Sequence, residues 1–188
     1  MDDAETFTAF CGHARLVGGS IETVAHELSN PGETARPVLI LSDATGRPIE
    51  LDLRHGAEHA VAEYRARTTS PGVPAARQGR GRPKLGVVAR EVTLLPRHWD
   101  WLASQSGGAS AALRRLVEDA RRANAAPDRE REARDALYRA MSALAGDLPG
   151  FEEASRALFA NDRERFDAIV AAWPADVASH LRALARPR

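Results

Sequence analysis

Cysteine, lysine and aromatic side chains are scarce in this 188-residue sequence, and its formal net charge is zero. The single cysteine, Cys11, excludes an internal disulfide framework and fits a reducing compartment. Aromatic residues make up 5%, so any core must rest on Leu, Val and Ala. Apolar runs fall far short of the roughly 20 residues that a membrane span needs. Met1 to Thr6 is acidic and lacks a signal-peptide pattern, so a cytoplasmic location is expected. Taken as a total, the absent net charge argues against a partner that is nucleic acid or a membrane surface. What is present is ordinary for a globular chain, 44% hydrophobic and 28% charged, and the length suits one domain or two small ones.

The zero total hides a segregation. Residues 1–76 hold 6 basic and 11 acidic side chains, residues 77–124 hold 10 and 4, and residues 125–188 hold 10 and 11. The middle of the chain is therefore a basic block of net +6 between flanks of −5 and −1. Every basic residue except Lys84 is arginine, and alanine is abundant, which fits a GC-rich genome. Arginine content alone is then weak evidence for nucleic acid, and the arrangement has to carry the argument.

The patterning predicts an α+β protein in four segments. Residues 1–67 read as a small α+β unit. Thr6 to Phe10 alternates as a strand, and Ala14 to Val17 returns after a turn at Gly12. Ser20 caps a helix with Ile21, Val24, Ala25 and Leu28 on one face. Pro37 to Leu41 and the alternating Ile49, Leu51 and Leu53 form a hairpin around Asp43-Ala44-Thr45-Gly46. A short helix follows from about Ala57 to Tyr64. Residues 68–86 are a Pro/Gly-rich linker without apolar periodicity. Residues 87–124 read as a strand (Val87 to Leu95) and two helices (about Pro96 to Gln105 and Ser110 to Ala123) separated by Gly107-Gly108. After a break at 125–128, residues 125–188 read as helical: Asp128 caps a stretch with Ala133, Leu137, Met141 and Leu144 on one face. Three further helices cover Phe151 to Ala160, Arg163 to Trp173 and Ala175 to Ala185.

The linker carries Gly79-Arg80-Gly81-Arg82-Pro83-Lys84, which resembles the AT-hook, a minor-groove binding motif. Pro83 and the missing side chains at Gly79 and Gly81 keep the backbone thin and extended, so a flat chain fits a narrow groove. Arg80 and Arg82 would lie along the groove floor, where A·T tracts concentrate negative potential. Lys84 and Arg77 would meet flanking phosphates. The bland alternative is a solvated basic linker.

The next segment, with its strand, its proline-started helix bearing Trp99 and Leu102, and its second helix, resembles the ribbon-helix-helix DNA-binding fold over about 35 residues. The resemblance implies a homodimer in which two strands pair into a ribbon for the major groove. Physics points the same way, because a lone apolar strand leaves its backbone groups unpaired. Ser110 would open a helix N-terminus toward phosphate. Leu113, Leu116, Val117 and Ala120 would face the core, with Arg114, Arg115, Arg121 and Arg122 exposed. The chain departs from the family pattern in the strand. Arg90 and Thr93 are the base-reading candidates, yet they lie on opposite faces, and Glu91 repels phosphate. The ribbon either reads bases or only dimerises.

Chemical sites are weak in comparison. His55 and His59 are four apart but lack a third ligand, so no metal or other cofactor is expected. Cys11 and His13 flank Gly12 without an oriented base, so no catalytic residue is assigned and the chain is read as a non-enzyme. Phe151, Leu158, Phe159, Phe166, Ile169 and Trp173 lie at helical spacing and mark either core packing or a groove for a protein partner. Over nearly its full length the chain also resembles a family of uncharacterised bacterial proteins catalogued only as a domain of unknown function. The strings Arg82 to Leu102, Gly108 to Arg121 and Phe151 to Pro174 carry that likeness. The expectation is a cytoplasmic or nucleoid-associated homodimeric DNA-binding regulator or architectural protein without a membrane segment. The alternatives are an antitoxin-like adaptor and an enzyme seated in the N-terminal unit.

Overall fold

A computed structural model describes residues 5–29, 37–69 and 90–186. It is an α+β chain that divides into two compact units, residues 1–70 with 129–188 and residues 71–128. The first unit is built on a four-stranded antiparallel sheet of β1 (Phe7–Cys11), β2 (Ala14–Gly19), β3 (Val38–Ser42) and β4 (Pro48–Ile49), in the order β2-β1-β3-β4. β1 runs through the middle. It pairs Phe7 with Gly19 on one side and Phe7 with Ser42 on the other, and a bulge between Ala9 and Phe10 shifts the β2 register.

Phe7 and Phe10 are three residues apart and so point to opposite faces of the sheet. Both are buried, and both faces are covered. On one face, Phe7, Ala9 and Ile40 pack with Ile21, Val24, Ala25 and Leu28 of α1 (Ile21–Leu28) and with Ala57 and Val61 of α2 (Ala57–Thr69). Ser20 caps α1 as the sequence predicts, its hydroxyl accepting from the Thr23 N–H at 3.3 Å. On the other face, Phe10 and Leu41 meet the helices at the end of the chain. Leu137, Met141 and Leu144 come from the last turns of α4 (Gly108–Ala145), Ala154 and Ala157 from α5 (Phe151–Phe159), Phe166 and Val170 from α6 (Arg163–Val170), and Val177 and Leu181 from α7 (Ala175–Leu184). The segments read separately from sequence as 1–67 and 125–188 thus share one core. The Trp173 indole N–H donates to the Pro149 carbonyl at 2.8 Å, which satisfies the polar edge of the largest buried ring.

Several local expectations change. Ile49, Leu51 and Leu53 do not continue as one strand, because Asp52 caps a 3-10 turn over Leu53–His55, its carboxylate accepting from the Arg54 N–H at 3.1 Å. The helix after it runs to Thr69 rather than to Tyr64. The break expected at 125–128 is absent: α4 continues through Pro127. Proline there removes one i→i−4 hydrogen bond, a cost that the alanines at 120, 123, 125 and 126 help offset through their helix propensity. Asp128 is therefore inside a helix rather than its cap. Ala133, expected on the packed face with Leu137, is exposed.

Turn Asp43–Gly46 ties the sheet to α4. The Gly46 N–H donates to the Ser42 carbonyl at 2.8 Å, and Arg139 donates to the Thr45 carbonyl at 3.0 Å. Gly46 has φ +64°, and a Cβ placed there would overlap the backbone carbonyl of Ala136. Replacing Gly46 by Ala therefore combines a left-handed backbone with a clash against a helix. The expected cost is about 3 kcal/mol, which is roughly 10 °C in Tm for a chain of this size. Thermal unfolding of Gly46→Ala checks this, and a melt within 2 °C or so of wild type contradicts the close packing of this turn on α4.

Candidate functional site

The second unit carries the residues singled out for DNA. Arg77, Arg80, Gly81, Arg82, Pro83 and Lys84 lie outside the described residues, as does the start of the expected strand. Residues 90–95 are described, and they run into α3 (Pro96–Ala103) without joining a sheet within this chain. Arg90 and Thr93 are exposed there. Pro96 starts α3 as expected, and Gly107 and Gly108, both at positive φ, turn the chain into α4. The second helix thus opens two residues earlier than the sequence suggests, and Ser110 sits exposed in its first turn, where N–H groups lack helical partners.

Along α4 the side chains divide by face. Ala112, Leu113, Leu116, Val117 and Ala120 follow helical spacing on one side, and Arg114, Arg115, Arg121 and Arg122 lie on the opposite side. Of the apolar set, only Ala112 is buried. Leu116 and Val117, expected in a core, are 46% and 58% exposed, and Ala120 is exposed as well. Leu102 of α3 is buried, but its expected facemate Trp99 is 39% exposed, and Val92, Leu95 and Trp101 are about half exposed. The physical reason is size: a strand segment and two helices from one chain cannot enclose their own apolar faces. The basic side is not uniformly available. Glu118 pairs with Arg121 at 3.3 Å and Arg122 at 3.4 Å, while Arg115 donates to the Ser106 carbonyl at 3.4 Å and Arg114 projects outward.

The first unit holds a buried polar group that the sequence reading missed. His180 of α7 is 6% exposed and packs edge-on against Phe10, ring centroids 5.2 Å apart. Among the described residues its Nε2 has no hydrogen-bond partner; it stands 3.8 Å from Oδ1 of Asp43, which accepts from the Thr8 hydroxyl at 3.0 Å. The signal was present in the spacing, since His180 falls on the same α7 stripe as Val177, Leu181 and Leu184. Its partner across the sheet was not legible. Burial pushes the imidazole below its ordinary value of 6.5; the Asp43 carboxylate opposes that shift, and Arg15 adds to it. The remaining candidates stay apart from any such environment. His55 and His59 meet edge to face on the exposed surface, ring centroids 5.4 Å apart. Among the described residues no cluster of three or more His, Cys, Asp or Glu side chains gathers as a metal site. Among the described residues, cavities of about 430 and 220 Å³ are lined by neither Cys11 nor His13 nor His55, and the smaller lies between α1 and α2. No helix among the described residues is long and apolar enough to cross a membrane.

An imidazole whose folded value is depressed below its unfolded one is held neutral in the folded state. The stability it contributes is present above about pH 6.5 and is lost as pH falls through and below that value. Melting temperature is thus expected to fall on acidification below pH 6.5, and His180→Phe, which keeps an aromatic ring against Phe10, should flatten that slope. Equal slopes in wild type and His180→Phe contradict the role given to His180.

The chain belongs to a bacterial family described as an uncharacterized protein conserved in bacteria (DUF2239), whose model matches residues 6–185. No curated protein and no solved structure matches it.

Proposed function

We propose that this protein is a DNA-binding homodimer whose residues 77–124 form the contact with DNA. The carrying observation is the second unit's two-sided α4: an apolar face left open, with Leu116 and Val117 about half exposed, backs directly onto the face that holds Arg114 and Arg115. Of the seven large hydrophobics exposed among the described residues, six lie in residues 92–117. Exposed large hydrophobics concentrated in one segment favour an association surface there. A second copy is the occupant that also supplies the missing strand partner, since two copies of residues 87–95 can pair with one another into a ribbon. Dimerisation would bring two basic blocks of net +6 to one duplex.

In this reading Arg80 and Arg82 enter the A·T minor groove, Lys84 and Arg77 hold flanking phosphates, and the first turn of α4 at Ser110 points N–H groups at phosphate. Arg114 and Arg115 add phosphate contacts. Arg121 and Arg122 contribute less, because Glu118 competes for them. Arg90 and Thr93 remain the ribbon's base-facing candidates. A cytoplasmic, nucleoid-associated site of action and a role in transcription or chromosome architecture follow from that chemistry.

A second reading rests on a different surface. Phe159 is 52% exposed and packs at a tilt against Tyr138, ring centroids 5.3 Å apart, and Tyr138 lies 6.3 Å from Phe151. This aromatic patch on the terminal helices suits a protein partner, as in an antitoxin-like adaptor.

Titration of the full chain against AT-rich and GC-rich duplexes at several salt concentrations tests the proposal. Log affinity should fall with log salt by about 0.9 per phosphate neutralised, and the double variant Arg114→Ala/Arg115→Ala should reduce that slope by about 2. AT-rich duplex should bind more tightly, and Arg82→Ala should remove the preference. Absence of binding at low salt overturns the DNA reading and favours the adaptor.

A further inference from the structure

We propose that the cleft among α4, α5, α6 and the end of α7 in the first unit binds a small monoanionic amphiphile, an alkyl or aryl carboxylate. The cleft measures about 430 Å³, within the size range of pockets that take small molecules. Its floor is apolar: Leu137, Ala157 and Phe166 are buried, and Leu158 and Leu184 are half-buried beside them. Its lining also carries charge, with Arg134, Arg163 and Arg186 beside Glu130 and Asp162, all but half-buried Arg134 exposed.

The lining chemistry sets the class of ligand. Three guanidiniums against two carboxylates leave one net positive charge, which suits a monoanion and disfavours a dianionic phosphate. The groups also differ in commitment. The Asp162 carboxylate caps α6, accepting from the Arg165 N–H at 3.0 Å, and Arg163 donates to the Ala185 carbonyl at 2.9 Å. Arg134 and Arg186 make no hydrogen bond or ion pair among the described residues. Arg134 is half-buried, so part of its desolvation cost is already met, and its planar fork matches a carboxylate bidentately. The floor then takes the apolar body of the ligand. Asn161 adds an amide at the mouth. It is the one non-glycine among the described residues at positive φ, 56°, held there by the turn that ends α5, in which the Asp162 N–H donates to the Ala157 carbonyl at 2.9 Å and the Asn161 N–H to that of Leu158 at 3.1 Å.

The site is independent of the DNA reading, because every lining residue belongs to the first unit. Calorimetric titration of the full chain with sodium octanoate, and separately with octanol, tests it. Saturable one-to-one binding of octanoate is expected, with octanol at least tenfold weaker. Arg134→Gln should weaken octanoate at least tenfold. Ala133→Trp, which places a large ring at the mouth from an exposed helical position, should abolish binding while the melting temperature stays near that of wild type. Absence of saturable octanoate binding, octanol binding as tight as octanoate, or undiminished affinity in Arg134→Gln overturns the proposal.

Discussion

The covering of both faces of β1 is the constraint on which the first unit depends. Four consecutive residues, Phe7 to Phe10, are buried, so the strand has no solvated side. One aromatic ring must be covered by α1 and α2 and the other by helical residues from Leu137 onward, more than a hundred positions later. The ends of the sequence are therefore brought into one body by a single strand, and residues between them are left to form a second. At roughly 25 cal/mol per Å² of apolar surface, neither half of this core is dispensable to a chain with so few aromatic side chains. The same packing brings Asp43 of the β3–β4 turn and His180 of α7 within 3.8 Å in an otherwise apolar layer.

The second unit shows the opposite condition. It has charge in a useful arrangement and apolar residues in a useful stripe, but little to cover them. The neutral total of the whole sequence is the sum of an acidic region, a basic middle and a nearly balanced end. Its meaning lies in that distribution, because the basic block coincides with the segment whose apolar side is open.

Much of the fold was legible because local signals agreed with tertiary demands. Ser20 before an apolar stripe, Asp43 to Gly46 between apolar runs, and the stops at 146–150, 161–162 and 174 each mark an element edge. Other features were hidden by their nature. Pro127 reads as a breaker, yet alanine-rich flanks carry the helix through it. Phe7 and Phe10 hold the clue that both faces of β1 need cover, but periodicity does not say which helices supply it. The cleft of Arg134 and the Asp43–His180 approach depend on residues distant in sequence, so no spacing rule could find them. Leu116 and Val117 were read as core residues from one helical face. They are exposed because the second unit is too small to cover that face.

Sedimentation equilibrium on the full chain at micromolar concentration tests the central claim most directly, with Leu116→Asp/Val117→Asp as the comparison. The account predicts a dimer for the wild type and a monomer for the variant, with the first unit's melting transition little changed. A wild-type chain that sediments as a monomer, or a variant that remains a dimer, contradicts it.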